Sequence, residues 1–241
     1  MTICEDFHYA FYPLTRKFSD YLCKISILCF MFHAILDNCG VVPLRTANLH
    51  TMLAKYNSPK DKIAYMEKKK EIIRIKRGLY VSSPAIHKQL LSRELIANHL
   101  YGPSYVSLET ALSFYGIIPE RAEIMRSITF KRSKKFKTSL GLFEYQNLPA
   151  KIYSIGFRQE FAGDNYAYLI ATPEKALCDL LLVTANLKFF SKKSMLNFLE
   201  QDLRVDLSSV KWDISIIQEC INAGKKSRDL LYLKEVLNEC I

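Results

Sequence analysis

The chain has 241 residues, 49% of them hydrophobic and 12% aromatic, which is enough to fill one large core or two modest ones and too much for a disordered chain. Its formal net charge is +10, carried as +6 over residues 1–83, +4 over 84–150 and zero over 151–241. An excess confined to the first 150 residues is what a nucleic-acid face would look like; the plainer reading is a generically basic soluble protein.

Residues 1–27 read as an N-terminal extension, acidic and aromatic at first (Glu5, Asp6, Phe7, Tyr9, Phe11, Tyr12). The apolar run from Ile25 to Leu36 is a dozen residues, bounded by Lys24 and Asp37, too short to span a bilayer. No small-residue cleavage site closes it, so a buried helix fits, with Met31, Phe32, Ile35 and Leu36 on one stripe and Gly40 as its stop. Val41-Val42-Pro43 is an extended link. Thr46 is placed to cap a helix carrying Ala47, Leu49, Met52 and Leu53. Ser58, Pro59 and Asp61 then give cap, first-turn proline and acid for a helix to about Lys70, with Ile63 and Met66 inward. Ile72, Ile73 and Ile75, the turn Arg77-Gly78, and Leu79-Tyr80-Val81 read as a hairpin. Three helices and a basic hairpin in this order predict a winged helix-turn-helix over residues 28–83.

Ser82-Ser83-Pro84 reads as a linker into a mixed domain over 84–241, so the whole chain is expected to be α+β. Leu91, Leu95 and Leu100 suggest a helix closed by Tyr101-Gly102-Pro103, and Ser107 a cap for a second, with Gly116 as its stop. Strand patterns follow in SITF (127–130), GLFEYQ (141–146), KIYSIGF (151–157) and YAYLIA (166–171), the last two joined by a turn at 162–165. Thr172-Pro173-Glu174 opens a helix, and the remainder, through Phe198, Ile217 and Leu233, looks helical.

In a winged helix the third helix enters the major groove and the wing reaches the backbone or minor groove. With Ile63 and Met66 inward, Asp61, Ala64, Tyr65 and Lys68 turn outward. Tyr65 and Lys68 are the candidate base readers, and Lys60 and Lys69 the phosphate contacts. Lys76 and Arg77, beside Gly78, suit phosphates at the wing tip. A second basic run (Arg126, Lys131, Arg132, Lys134, Lys135, Lys137) meets no acid until Glu144 and sits at a strand–loop–strand transition; it either lengthens the footprint or is a wet loop. Phosphate-loop, dinucleotide, nucleophile-elbow and zinc-protease motifs are all missing. His33 and His50 read as core supports, Glu174 as a helix-dipole residue, and the seven cysteines lack zinc spacing and fit buried thiols of a reducing cytosol.

Three blocks, IIRIKRGLYV (72–81), SYVSLETALSFYGIIPE (104–120) and YLIATPEKALCDLLL (168–182), resemble the AbiEi family of type IV toxin–antitoxin antitoxins, over roughly residues 30–185. The resemblance implies an N-terminal winged helix-turn-helix joined to an antitoxin domain. It implies a cytoplasmic repressor that binds double-stranded DNA repeats in its own promoter and counteracts a nucleotidyltransferase-like toxin without a tight complex. No cofactor, metal or membrane partner is implied. By position, the wing role falls on Lys76, Arg77 and Gly78 and the recognition role on residues 59–70, while the segments before about 30 and after about 186 depart from the pattern. Two alternatives stand beside this: a nuclease targeted by the winged helix, which needs clustered carboxylates on the second-domain sheet, and a protein-interaction module whose wing meets a protein.

Overall fold

The structure is a computed structural model that describes Leu36 and residues 40–162 and 166–239. The N-terminal extension, the stripe Met31-Phe32-Ile35, His33, cysteines 4, 23, 29, 39 and 240, and turn residues 163–165 lie outside the described residues. The fold is α+β, as its sequence patterning predicts, and its contacts divide it into two compact units. The first holds the described residues up to Ile73 together with Val81–Leu90; the second holds Arg74–Tyr80 and the described residues from Leu91 onward. The outer part of the hairpin thus goes with the second unit, and residues 84–90 with the first.

Over residues 44–82, β1 (Leu44–Arg45) leads into α1 (Thr46–Met52), then α2 (Pro59–Lys68), and a three-stranded sheet runs in the order β1-β3-β2, with β2 Ile72–Lys76 and β3 Leu79–Ser82. Arg45, not Thr46, is the N-cap of α1, and its side chain makes no cap bond. Leu49 and Leu53 are buried whereas Ala47 is exposed, so the inward stripe is narrower than the spacing suggested. Ser58 caps α2 as expected, its Oγ accepting from the Asp61 N–H at 3.4 Å. Just beyond the helix, Lys70 turns the chain with a left-handed φ of 58°. His50, expected to support a core, is exposed. The expected linker is built into structure: Ser82 ends β3, and Ser83 caps the short α3 (Pro84–His87), both serines buried.

The second unit is a six-stranded sheet in the order β6-β7-β5-β4-β9-β8 with helices packed on it. Its strands are β4 (Tyr105–Val106), β5 (Met125–Thr129), β6 (Lys134–Thr138), β7 (Gly141–Asn147), β8 (Phe157–Ala162) and β9 (Tyr166–Ala171). Its helices are α4 (Arg93–Leu100), α5 (Leu108–Phe114), α6 (Ala150–Tyr153), α7 (Pro173–Val183), α8 (Lys192–Asn197), α9 (Ile214–Asn222) and α10 (Ser227–Asn238), with a π-turn at Phe198–Asp202. Two expectations fail here. KIY in the expected strand 151–157 is part of the helix α6, because Pro149 opens a helical turn that buries Ile152 alone. The basic run does cross from strand to loop after β5, but the segment between the expected strands 127–130 and 141–146 is not all loop: it contains β6, paired antiparallel with β7 from Lys134↔Tyr145 to Thr138↔Gly141.

The centre of this unit is polar. Asp179 on α7 is fully buried and accepts from Lys175 Nζ at 2.6 Å, Ser107 Oγ at 2.8 Å and the Tyr105 hydroxyl at 3.0 Å, while Lys175 also donates to the Ile152 carbonyl. Ser107 is therefore not a side-chain cap for α5; its hydroxyl serves Asp179. Burial pushes the Asp179 carboxyl up, against the downward pull of Lys175, Ser107 and Tyr105. Burial likewise pushes the Tyr105 hydroxyl well up, with the Asp179 charge adding to it. Two of the sequence blocks, around 104–120 and 168–182, meet in this one cluster.

Gly156 lets the chain pass close to it. Its φ is +60°, and a Cβ there would lie 2.6 Å from Ile216 Cγ2 and 3.0 Å from Lys175 Cβ. Gly156→Ala should therefore cost about 1–3 kcal/mol, measured as a fall in the urea midpoint. A midpoint within error of wild type would show that α9 yields at no cost.

Candidate nucleic-acid interface

The outward face of α2 is set by its burial. Ile63 and Met66 are buried, at 5% and 0% exposure, which leaves Lys60, Asp61, Ala64, Tyr65, Lys68 and Lys69 open to solvent. The Tyr65 ring is half exposed and lies between two ammonium groups, Lys62 Nζ at 5.0 Å and Lys69 Nζ at 5.8 Å from its centroid. Lys62 is the residue that sequence reasoning passed over. It lies one turn before Tyr65, a spacing that puts the two on neighbouring positions of the helix surface. Lys62 also sits 5.3 Å from the Tyr56 ring. Lys60 and Lys68 have no ion-pair partner among the described residues.

The hairpin β2–β3 turns in two residues, with Gly78 at φ 85°, the conformation that a tight turn demands and that glycine adopts without strain. Arg77 at the tip is exposed. Lys76, expected beside it as a second phosphate contact, is half-buried instead. Its ammonium donates to the Leu100 carbonyl and stands 5.4 Å from the Phe136 ring. Arg74 donates to the Tyr80 hydroxyl at 3.2 Å.

The second basic run splits by sheet face. Strand alternation puts Lys134 and Phe136 on one side of β6 and Lys135 and Lys137 on the other. Lys135 and Arg126 both lie opposite Glu144 in the register, and Glu144 takes Lys135 Nζ at 2.6 Å and Arg126 Nε at 3.7 Å. Arg126 also binds Glu109 at 2.7 Å. The acid that looked remote in sequence thus folds back across the ladder and compensates part of the run. Lys134 hangs over Tyr101 and Phe136, at 5.6 and 5.0 Å, and Lys131 donates to the Gly102 carbonyl at 2.7 Å. Arg132 is exposed, with no side-chain partner among the described residues.

Two carboxylates of α7, Glu174 and Asp179, are engaged within the fold. Glu174 accepts from the Asp213 N–H at 2.9 Å, and Asp179 is saturated by its three donors. No group of three or more His, Cys, Asp or Glu arranged to hold a metal ion occurs among the described residues. Among them, too, no helix is long and apolar enough to cross a membrane. No family model matches the chain, and no curated protein matches it.

Proposed function

We propose that the chain is a DNA-binding transcriptional regulator and antitoxin of the type IV kind, a cytoplasmic protein that represses its own promoter and counteracts a nucleotidyltransferase-like toxin. In this reading residues 28–83 form a winged helix-turn-helix, α2 is the recognition helix, and the β2–β3 hairpin is the wing. The observation that carries it is the exposed face of α2, an aromatic ring flanked by lysines with two further lysines open beside it. Lysines at such a face neutralise phosphates, and a partly exposed tyrosine between them can reach a base edge. Arg77 supplies the wing's phosphate contact, and the exposed Arg132 and Lys134 a further one. The antitoxin assignment is supported by the likeness of the three sequence blocks, two of which build the Asp179 cluster.

The test is binding to promoter and to random duplex across a salt series. Lys60, Lys68 and Lys69 changed together to Gln should weaken both complexes and lower the slope of log K against log salt by about 0.9 per lost phosphate contact. Tyr65→Ala should instead cost about 1–3 kcal/mol on the promoter and little on random DNA. An unchanged salt slope in the triple variant would remove α2 from the interface. Equal losses for Tyr65→Ala on both duplexes would make Tyr65 a positioning residue.

A further inference from the structure

We propose that strand β8 is a homodimerisation edge, pairing antiparallel with β8 of a second copy of this chain about a two-fold axis at Gln159. Such pairing depends on the sheet edge and is independent of DNA binding.

The sheet has two edges of opposite character. β6, at one end, carries Lys134, Lys135 and Lys137 within five residues, so a second β6 beside it would set lysine against lysine. Charged edges of this kind resist pairing. β8, at the other end, reads Phe157-Arg158-Gln159-Glu160-Phe161-Ala162, with no net charge, proline or glycine. Among the described residues only β9 pairs with it.

The phase of its hydrogen bonds follows from one contact. The Thr172 N–H donates to the Gly156 carbonyl at 2.9 Å, and the β8–β9 register pairs Phe157 with Ala171. In an antiparallel ladder the bonded residues alternate. Arg158 and Glu160 therefore spend their main-chain groups on β9, while Phe157, Gln159 and Phe161 turn theirs outward. Centred on Gln159, two such edges present matching groups and exchange about six main-chain hydrogen bonds.

The side chains are self-complementary in that same register. Arg158 of one copy faces Glu160 of the other, twice over, and Phe157 faces Phe161. Arg158 and Glu160 already attract within one strand, at 2.5 Å, so both sit on one face, where the Arg158 guanidinium also lies 5.0 Å from the Tyr115 ring centroid. On the opposite face Phe157 stacks on Tyr105 at 5.1 Å and 14°, whereas Phe161 is 68% exposed. Phe161 of the second copy would continue that aromatic row, and facing aromatic and opposite-charge pairs both stabilise a ladder. A shift of one residue puts Arg158 opposite Phe161 and loses every one of these matches. A single added strand buries less than a standard interface, so the dimer should be weak and concentration-dependent.

Sedimentation velocity on the full chain, from about 2 to 400 µM, should show reversible conversion from one to two chain masses. Gln159→Pro removes only an outward donor and leaves the β9 ladder intact, and it should weaken the dimer at least tenfold. Arg158→Glu and Glu160→Arg should each be monomeric alone, since like charges then face each other. Mixed together they should form a heterodimer, because each acid on the edge of the first variant then faces an arginine of the second. A role confined to the ion pair within one strand would not be rescued by mixing, and thermal melts report whether each variant folds. A wild-type monomer at every concentration, or a dimer indifferent to all three substitutions, overturns the proposal.

Discussion

Asp179→Ala is expected to destabilise the protein by roughly 3–5 kcal/mol, because it strands a fully buried ammonium group without its counter-charge. At about 2–4 °C of melting temperature per kcal/mol for a chain of this size, the fall should exceed about 6 °C. Lys175 would keep only the Ile152 carbonyl, and the hydroxyls of Tyr105 and Ser107 would lose their acceptor. A buried hydroxyl left without a partner costs about 1–3 kcal/mol, which places the expected loss toward the upper end of its range. The double variant Lys175→Met, Asp179→Leu removes both charges and should be more stable than Asp179→Ala alone, although the two hydroxyls remain unserved. Urea and thermal unfolding of the three proteins measure this. A loss under about 1 kcal/mol for Asp179→Ala would mean that water reaches the site and that the cluster is not dry.

The second large effect is expected at the turn into β6. On the duplex-binding reading, Lys131, Arg132 and Lys134 changed together to Gln should lower the salt slope by up to about 2.7, with a loss of promoter affinity of roughly 10- to 100-fold at moderate salt. Lys135→Gln alone should do much less, because Glu144 already neutralises that lysine at 2.6 Å. Nothing in the local run of lysines separates Lys135 from its neighbours; the ladder does. Rescue from the cognate toxin, measured in the same strain, divides the readings further. Binding lost with rescue intact makes the turn part of the DNA footprint. Rescue lost with binding intact makes it part of the antitoxin surface, and no change in either leaves a solvated turn.

What can be read from the sequence is local chemistry. Ser58-Pro59 and Thr172-Pro173 announce helix starts because a side-chain acceptor and a missing N–H act within three residues, and both helices begin there. Arg77-Gly78 announces the hairpin for a similar reason. The outward face of α2 follows from two inward residues and a fixed rotation per residue. What cannot be read depends on partners distant in sequence. Lys-Lys-Phe-Lys-Thr looks like a loop until β7 pairs with it, since lysines weaken a strand by propensity but suit an edge. Ser107 looks like a cap because nothing nearby shows that its hydroxyl is claimed by a carboxylate 72 positions later. Lys175 and Asp179, one helical turn apart, look like an ordinary solvated pair; only the packing of α7 against α5 and β4 buries them. Lys76 looks free for the same reason, its carbonyl acceptor lying 24 positions further on.

The same separation bears on the order in which the chain acquires its structure during synthesis. Tyr105 and Ser107 leave the ribosome more than seventy residues ahead of the carboxylate that satisfies them both. Domains fold as units while the chain grows at about 5–20 residues per second, so for several seconds β4 exists without its acceptor. Closing a loop of that length costs entropy before any bond repays it, which slows the event further. The segments around β1, α1 and α2 depend on nearer neighbours and can settle in the meantime. A nascent chain halted before residue 179 would thus carry a formed basic helix in one unit and, in the other, a sheet whose central polar groups are still open to water, and chaperones that hold unfinished sheets would meet it in that interval.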